Sequence, residues 1–220
     1  MDPEPDISWA RFVAFVRLHT HDVRNGLNSL DLETALLHEL VVDGEGRACV
    51  DRIRKQVRAL GVQMRDLSAL FQEPKPFLTP IAAHDLFLIW REQQADLPKP
   101  LEVQWKDELG AEQVNADAGM MAKVFRELLE NAAAFSEGGA ATACARREGD
   151  KVTFELREPK TGALDPSAWG EPLATARRGG YGLGLWLVRR LLAANHASIV
   201  QRHLPDEGSL VTRISLPTCQ

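Results

Sequence analysis

Apolar residues in the first seventy positions, with two threonines among them, recur at alternating steps of three and four. One series covers residues 13–41 and a second covers residues 50–71. This spacing places an apolar stripe along each of two long helices, in the heptad pattern of coiled coils. The segment VDGEGR at 42–47 separates the two series and is typical of a tight connection. The pattern therefore predicts a helical hairpin.

A hairpin of this length buries both stripes poorly by itself, whereas two hairpins paired as a four-helix bundle bury them well. We therefore expect a homodimer that forms such a bundle. The alternative is that the stripes pack against the second half of the same chain.

The helical pattern ends at three prolines in EPKPFLTP, residues 73–80. Each proline disfavours a helical conformation at the residue before it, so this segment is expected to be a linker. The predicted domains are a helical hairpin at 1–73, a linker at 74–80 and a second domain at 81–220.

Helices and strands alternate in the second domain. Its patterning predicts helices at 82–95, 117–135 and 184–194, and strands at 101–108, 141–149, 151–158 and 209–217. Elements in this order indicate a two-layer α/β sandwich. The fold class predicted for the whole chain is therefore α plus α/β.

Composition and charge limit the function classes. The chain has 220 residues, 45% of them hydrophobic and 26% charged, with a formal net charge of -5. This acidic balance argues against nucleic acid as a partner, because phosphate-binding surfaces usually cluster basic residues. The three distant cysteines indicate neither a disulfide framework nor a zinc site. With no signal peptide and no apolar run near the roughly 18 residues of a membrane span, we expect a cytoplasmic chain without a membrane segment.

Polar residues interrupt the first helix at HDVRN, residues 21–25. His21 is expected just off the apolar stripe, and Asp22 and Asn25 can share its exposed flank. A carboxylate beside an exposed imidazole can accept the ring proton and orient the tautomer, which makes the imidazole a candidate nucleophile. Asn25 could position a water or a phosphoryl oxygen. The other interpretation is a solvated helix face that happens to contain histidine.

The segment FRELLENAAAFS, residues 125–136, predicts a helix with one buried face. Glu127 and Asn131 lie four residues apart on its other face. A carboxylate and an amide oxygen so placed can hold a hydrated Mg²⁺ ion that also binds phosphates. The motif alone is weak, since an asparagine on a helix face is usually just solvated.

The segment GGYGLGLWLVRRLLAA, residues 179–194, leads a glycine-rich stretch directly into an amphipathic helix. Glycines let backbone N–H groups approach an anion closely, and a helix N-terminus favours negative charge. A polyphosphate is therefore the ligand that this segment favours. The other interpretation is a flexible loop before a helix.

Four segments, in this order, resemble the motifs of bacterial sensor histidine kinases. HDVRN resembles the phosphoacceptor box, ELLENAAAFS the N box, GYGLGL the second glycine box and EGSLVTRISLP the closing strand. The resemblance covers the chain from about His19 to Pro217. It implies a dimerisation and phosphotransfer hairpin followed by a GHKL-type ATP-binding sandwich, with ATP and Mg²⁺ as cofactors.

The resemblance also implies residue roles in a two-component system or phosphorelay. His21 would accept the γ-phosphoryl group of ATP, Asp22 would be the general base, and Asn25 would serve the reverse, phosphatase direction. Asn131 would bind Mg²⁺ together with Glu127. The phosphates would be wrapped by Gly180, Gly182 and Gly184. The phosphoryl group would then pass to an aspartate on a response-regulator receiver domain.

The sequence departs from the family where the first glycine box is expected, in LREPKTGAL. Glu158 stands where the adenine-binding aspartate is expected, Lys160 replaces the first glycine, and Gly162 remains. Ala134 occupies the position of a phosphate-binding basic residue. These departures fall on nucleotide binding and leave the histidine intact.

They leave a second function open: an ATP-independent histidine phosphotransferase with a degenerate kinase fold, which shuttles phosphoryl groups between receiver domains. A serine kinase of the anti-sigma type shares the ATP fold, but the hairpin with His21 argues against that class. The retention of Asn131 together with the glycine-rich segment favours the histidine kinase.

Overall fold

The structure is a computed structural model that describes residues 8–135, 137–162 and 182–219. The chain forms two compact units, of which the first ends at Glu73 and the second begins at Pro74. The first unit consists of two long helices, α1 (Trp9–Leu40) and α2 (Gly44–Leu70). The predicted helical hairpin is confirmed.

The two helices contact each other through part of each apolar stripe. Thr20 and Thr34 of α1 are buried, as are Val50 and Val57 of α2. Gly61 of α2 is buried as well. Other stripe positions are half-buried or exposed in the single chain, for example Leu60 at 47%.

The connection between the helices is shorter than the glycine pattern predicts. Asp43 is the N-cap of α2, and its Oδ1 accepts a hydrogen bond of 2.6 Å from the N–H of Gly46. Both glycines therefore lie in the first turn of α2 and not in the loop. Gly46 is required by close packing, because a Cβ atom there would come within 2.6 Å of Val41 Cγ1.

The second unit contains seven strands and three helices among its described residues. In chain order these are β1 (Thr79–Ala82), α3 (Ala83–Glu92), β2 (Val103–Glu108), β3 (Gln113–Ala116), α4 (Ala118–Ala134), β4 (Ala141–Glu148), β5 (Lys151–Pro159), α5 (Gly184–Ala194), β6 (Ser198–Leu204) and β7 (Ser209–Pro217). A 3₁₀ turn at Pro205–Glu207 joins the last two strands. Every helix and strand predicted for this unit is present, and the two-layer α/β sandwich is confirmed.

The main sheet has five strands in the order β2-β4-β5-β7-β6. The β2–β4 pair is parallel and the other pairs are antiparallel. A second sheet pairs β1 with β3, so that Thr79 faces Ala116. Because β1 begins at Thr79, the last two residues of the predicted linker are part of a strand.

The helices cover one face of the main sheet through an aromatic core. Trp90 of α3 stacks on Phe125 of α4 with ring centroids 5.2 Å apart, and Phe125 contacts Phe154 of β5 at 5.3 Å. All three side chains are at most 1% exposed. This core holds α4 against β5, which fixes two of the elements that carry candidate site residues. Within the described residues, none of the helices is both long and apolar enough to cross a lipid bilayer.

Candidate functional site

His21 lies on the exposed surface of α1, one position after the buried Thr20. Its side chain is 57% exposed and that of Asp22 is 65% exposed. The Nδ1 atom of His21 is 3.3 Å from Asp22 Oδ1 and 3.4 Å from Asn25 Nδ2. The three predicted residues therefore lie together, because the helix places positions i, i+1 and i+4 on adjoining flanks.

These contacts engage one nitrogen of the imidazole. If Nδ1 carries the proton it donates to Asp22, and if it is unprotonated it accepts from the Asn25 amide. When the neutral ring is protonated at Nδ1 and donates a hydrogen bond to Asp22, its lone pair lies on Nε2, the ring nitrogen that neither partner contacts. An exposed Nε2 with a lone pair is a competent nucleophile.

Glu127, Asn131 and Gly184 lie together in the second unit, although 53 or more residues separate the glycine from the other two. A Cβ atom built on Gly184 would come 2.6 Å from Glu127 Oε2 and 3.9 Å from Asn131 Nδ2. Gly184 is the first residue of α5. The missing side chain thus lets the positive end of α5 lie close to a carboxylate and an amide on α4, and we call these three residues the Gly184 cradle.

The residues at this cradle fit Mg²⁺ with phosphate. Mg²⁺ prefers oxygen ligands and usually takes only one or two from the protein, with phosphates and waters completing the octahedron. Glu127 and Asn131 supply a carboxylate and an amide oxygen of that kind. Gly182, two residues before the helix, has a φ of 64°, which is a left-handed conformation that glycine adopts without strain.

Glu158 and Gly162 lie at the far end of β5 and just beyond it. Glu158 is only 8% exposed, and burial raises the pKa of its carboxyl to about 7, against the opposing charge of Lys160. At neutral pH the carboxyl is thus close to half protonated. It can accept a hydrogen bond from an amino group when ionised, and it can also donate one when protonated.

An ion pair beside Glu158 is a feature that sequence reasoning missed. Lys160 is 5% exposed, and its Nζ lies 3.9 Å from Glu137 Oε1 and 5.9 Å from the ring centroid of Phe135. The Oε2 atom of Glu137 accepts hydrogen bonds from the N–H and hydroxyl of Thr161 at 2.7 and 2.8 Å. These hydrogen bonds lower the pKa of Glu137. No local sequence signal joins position 137 to positions 160 and 161, so the contact requires the fold.

The structure thus brings predicted residues into two groups. His21, Asp22 and Asn25 form the first, on the hairpin, and Glu127, Asn131 and Gly184 form the second, in the α/β unit. Glu158 lies near the end of β5, and Gly162 lies beyond that strand, where its N–H donates to Glu137 Oε2 at 3.4 Å. Gly180 lies outside the described residues.

A helical hairpin with an exposed histidine thus precedes an α/β sandwich along this chain. The chain is similar in sequence to two curated sensor kinases. It is 28% identical over 220 residues to the sensor protein SphS of Synechococcus elongatus. This alignment covers 90% of the chain and 52% of SphS. It is 29% identical over 213 residues to the alginate biosynthesis sensor protein KinB of Pseudomonas aeruginosa. This alignment covers 89% of the chain and 35% of KinB. The chain therefore spans about half or less of the length of these relatives. No protein-family model matches it.

Solved structures share the fold. The crystal structure of full-length ShkA in complex with AMPPNP aligns with 94% of this chain and 46% of its own, at a TM-score of 0.69 and 21% identity. The Acinetobacter baumannii histidine kinase AdeS aligns with 91% of this chain and 98% of its own, at a TM-score of 0.52 and 14% identity. In sequence and in fold, the chain is similar to the catalytic core of bacterial sensor histidine kinases.

Proposed function

We infer that the chain is a histidine kinase of a two-component system, which autophosphorylates His21 with ATP and transfers the phosphoryl group to a response-regulator aspartate. The observation that supports this most is the exposed His21 imidazole with Asp22 and Asn25 at its Nδ1 atom. The similarity to sensor kinases and the cradle at Gly184 support the same function.

The chemistry on the hairpin needs few groups. The Nε2 lone pair of His21 forms the P–N bond while the bond from the γ-phosphorus to the leaving ADP oxygen breaks. Asp22 takes the Nδ1 proton of the imidazolium that results, which leaves a neutral phosphorylated ring. Transfer of this kind depends on positioning and charge neutralisation more than on covalent machinery. Asn25, 3.4 Å from the ring, would position the water of the reverse, phosphatase reaction.

The α/β unit would hold the nucleotide. Glu127 and Asn131 would bind Mg²⁺, an ion that neutralises phosphate charge when it is bound. The backbone of Gly180, Gly182 and Gly184 would approach the phosphates. Glu158 would accept a hydrogen bond from the adenine amino group when it is ionised.

The hairpin would form a homodimer, in agreement with its relatives being sensor kinases. Four leucine and isoleucine positions of the two apolar stripes remain exposed in the single chain: Leu30 at 46%, Leu37 at 45%, Ile53 at 41% and Leu60 at 47%. A second hairpin would cover them in a four-helix bundle. A receiver domain of a response regulator would be the acceptor of the phosphoryl group.

The test is autophosphorylation of the purified chain with Mg²⁺ and γ-labelled ATP. We expect an acid-labile label on the wild type and none on His21→Ala or Asn131→Ala. His19→Ala is the matched control, since His19 is another exposed histidine on α1, stacked on Phe15 at 5.6 Å. A label that survives His21→Ala, or that disappears with His19→Ala instead, would contradict the assignment of the phosphoacceptor.

The buried Lys160 at the position of the first glycine favours one alternative, an ATP-independent histidine phosphotransferase. In that case His21 would receive its phosphoryl group from one receiver domain and pass it to another. A wild type that takes no label from ATP but takes it at His21 from a phosphorylated receiver domain would establish this alternative and exclude the kinase.

A further inference from the structure

Lys160 points to the same side of the sandwich as Glu158. The two residues are separated by one position on an extended strand, and both are almost fully buried, at 5% and 8% exposure. The N–H of Lys160 donates to the carbonyl of Gly208 at 2.7 Å, so the strand geometry of β5 continues through this residue. Side chains two residues apart on a strand project from one face about 6.6 Å apart.

The Lys160 side chain is fixed in this position. Its ammonium covers the ring of Phe135 and pairs with Glu137, whose other oxygen is bonded to Thr161. The loop after α4 and the turn after β5 are therefore tied to each other around the ammonium. Such a group leaves its place only if these contacts are broken or replaced.

The Lys160 side chain also contacts the end of α4, the helix that carries Asn131. Phe135 follows Asn131 by one helical turn, and its N–H donates to the Asn131 carbonyl at 3.0 Å. Lys160 contacts Phe135 on one side and adjoins Glu158 along the strand on the other. The side chain therefore lies near Glu158 on the strand and against the residue that follows Asn131 by one helical turn, and these are the two residues proposed to bind the ends of a nucleotide.

We propose that the Lys160 side chain occupies the base end of the nucleotide site and keeps the affinity for purine nucleotides low, so that Lys160 sets the nucleotide affinity of this chain. This inference rests on the proposed nucleotide site between Asn131 and Glu158. It concerns the volume of the side chain, and not its charge. A positive charge by itself would attract the phosphates of a nucleotide.

The test is calorimetric titration of the full chain with Mg²⁺-ATP. Lys160→Ala removes the obstructing atoms and is expected to lower the dissociation constant about tenfold or more. Lys160→Met keeps most of the volume without the charge and is expected to bind within about threefold of the wild type. Glu137→Gln releases the ammonium from its anchor and is expected to tighten binding a few fold. Lys151→Ala removes a charge from the exposed start of the same strand and serves as the control.

Equal or weaker binding by Lys160→Ala overturns the inference, and so does Lys160→Met binding as tightly as Lys160→Ala. If Lys160→Ala fails to fold, as judged by its thermal melt, Glu137→Gln decides: unchanged affinity in that variant overturns the inference.

Binding is measured separately from phosphorylation of His21. A tightly binding Lys160→Ala beside a wild type without label therefore supports the inference while it contradicts the proposed kinase function. If the wild type is labelled by ATP and Lys160→Ala binds ATP no more tightly than the wild type, the result supports the proposed kinase function and overturns the inference about Lys160.

Discussion

The buried carboxyl of Glu158 makes the stability of the α/β unit depend on pH. Its pKa is raised from 4.5 to about 7 by burial, so the folded chain binds a proton there between these pH values and the unfolded chain does not. The free energy of unfolding therefore falls as the pH rises through this window. At about 1.36 kcal/mol per pH unit, the ionised carboxyl costs at most about 3 kcal/mol above pH 7.

We expect Glu158→Gln to remove this cost. The variant should exceed the wild type in unfolding free energy by up to about 3 kcal/mol at pH 8, and should match it near pH 4, where the wild-type carboxyl is mostly protonated in both the folded and the unfolded chain. Urea unfolding of the full chain, followed by tryptophan fluorescence, measures the difference. Trp90, which lies in the core of the α/β unit at 1% exposure, reports its unfolding.

The control is Glu155→Gln on the outer face of the same strand. Burial acts to raise the pKa of Glu155, but the hydrogen bond and charge of Arg213, with the charge of Arg146, lower it overall. Its ionised form is thus stabilising, and the loss in the variant should be largest at neutral pH and disappear as the pH falls. A Glu158→Gln variant that is no more stable than the wild type at pH 8, or one whose advantage is the same at pH 4, would refute the reasoning.

Leu60→Lys is expected to raise the dissociation constant of the homodimer by roughly a hundredfold or more, because the charge would enter the apolar stripe of the bundle. Light scattering should then report a monomer, while Val62→Lys, an equally exposed valine off the stripe, should stay dimeric; a dimeric Leu60→Lys variant would exclude the bundle. Gly184→Ala is expected to weaken Mg²⁺-ATP binding severalfold, since its Cβ would meet Glu127 Oε2 at 2.6 Å. Gly119→Ala on α4, whose Cβ has ordinary room at 3.4 Å, should bind normally in the same titration, and an unaffected Gly184→Ala variant would remove the cradle from the site.

The sequence predicted the long helices and the central strands because their signals are local. Three strands were missed: β1, whose first two residues, including Pro80, lay in the predicted linker; the four-residue β3; and the edge strand β6. The hydrogen bonds of β1 come from β3, more than thirty residues away, and such a pairing leaves no periodicity in either segment. His196 is a similar case. Its φ of 54° is a left-handed backbone conformation after α5 that a histidine does not predict.

The candidate site shows the same division. The group around His21 is defined by spacings of one and four along a helix, so its geometry follows from the sequence. The approach of Gly184 to Glu127 depends on how α5 packs beside α4. The ion pair of Lys160 with Glu137 depends on where a loop and a strand end meet. The substitution of a glycine by Lys160 is visible in the sequence, but its burial against Phe135 is not.

Apart from Ala134, the departures from the histidine kinase pattern are concentrated at the base end of the proposed nucleotide site. The residues around His21 and the Gly184 cradle match the pattern, whereas Glu158 and Lys160 place a titrating carboxyl and a buried ammonium where a base is proposed to bind. A kinase and a phosphotransferase would both use His21 and would differ in the source of the phosphoryl group, which is ATP or a receiver domain. Glu158 and Lys160, at the base end of the proposed nucleotide site, would therefore decide between the two functions. If truncation of Lys160 alone gives tight binding of ATP, the other residues of the proposed site can still bind the nucleotide. The Lys160 side chain then accounts for the difference between the two functions.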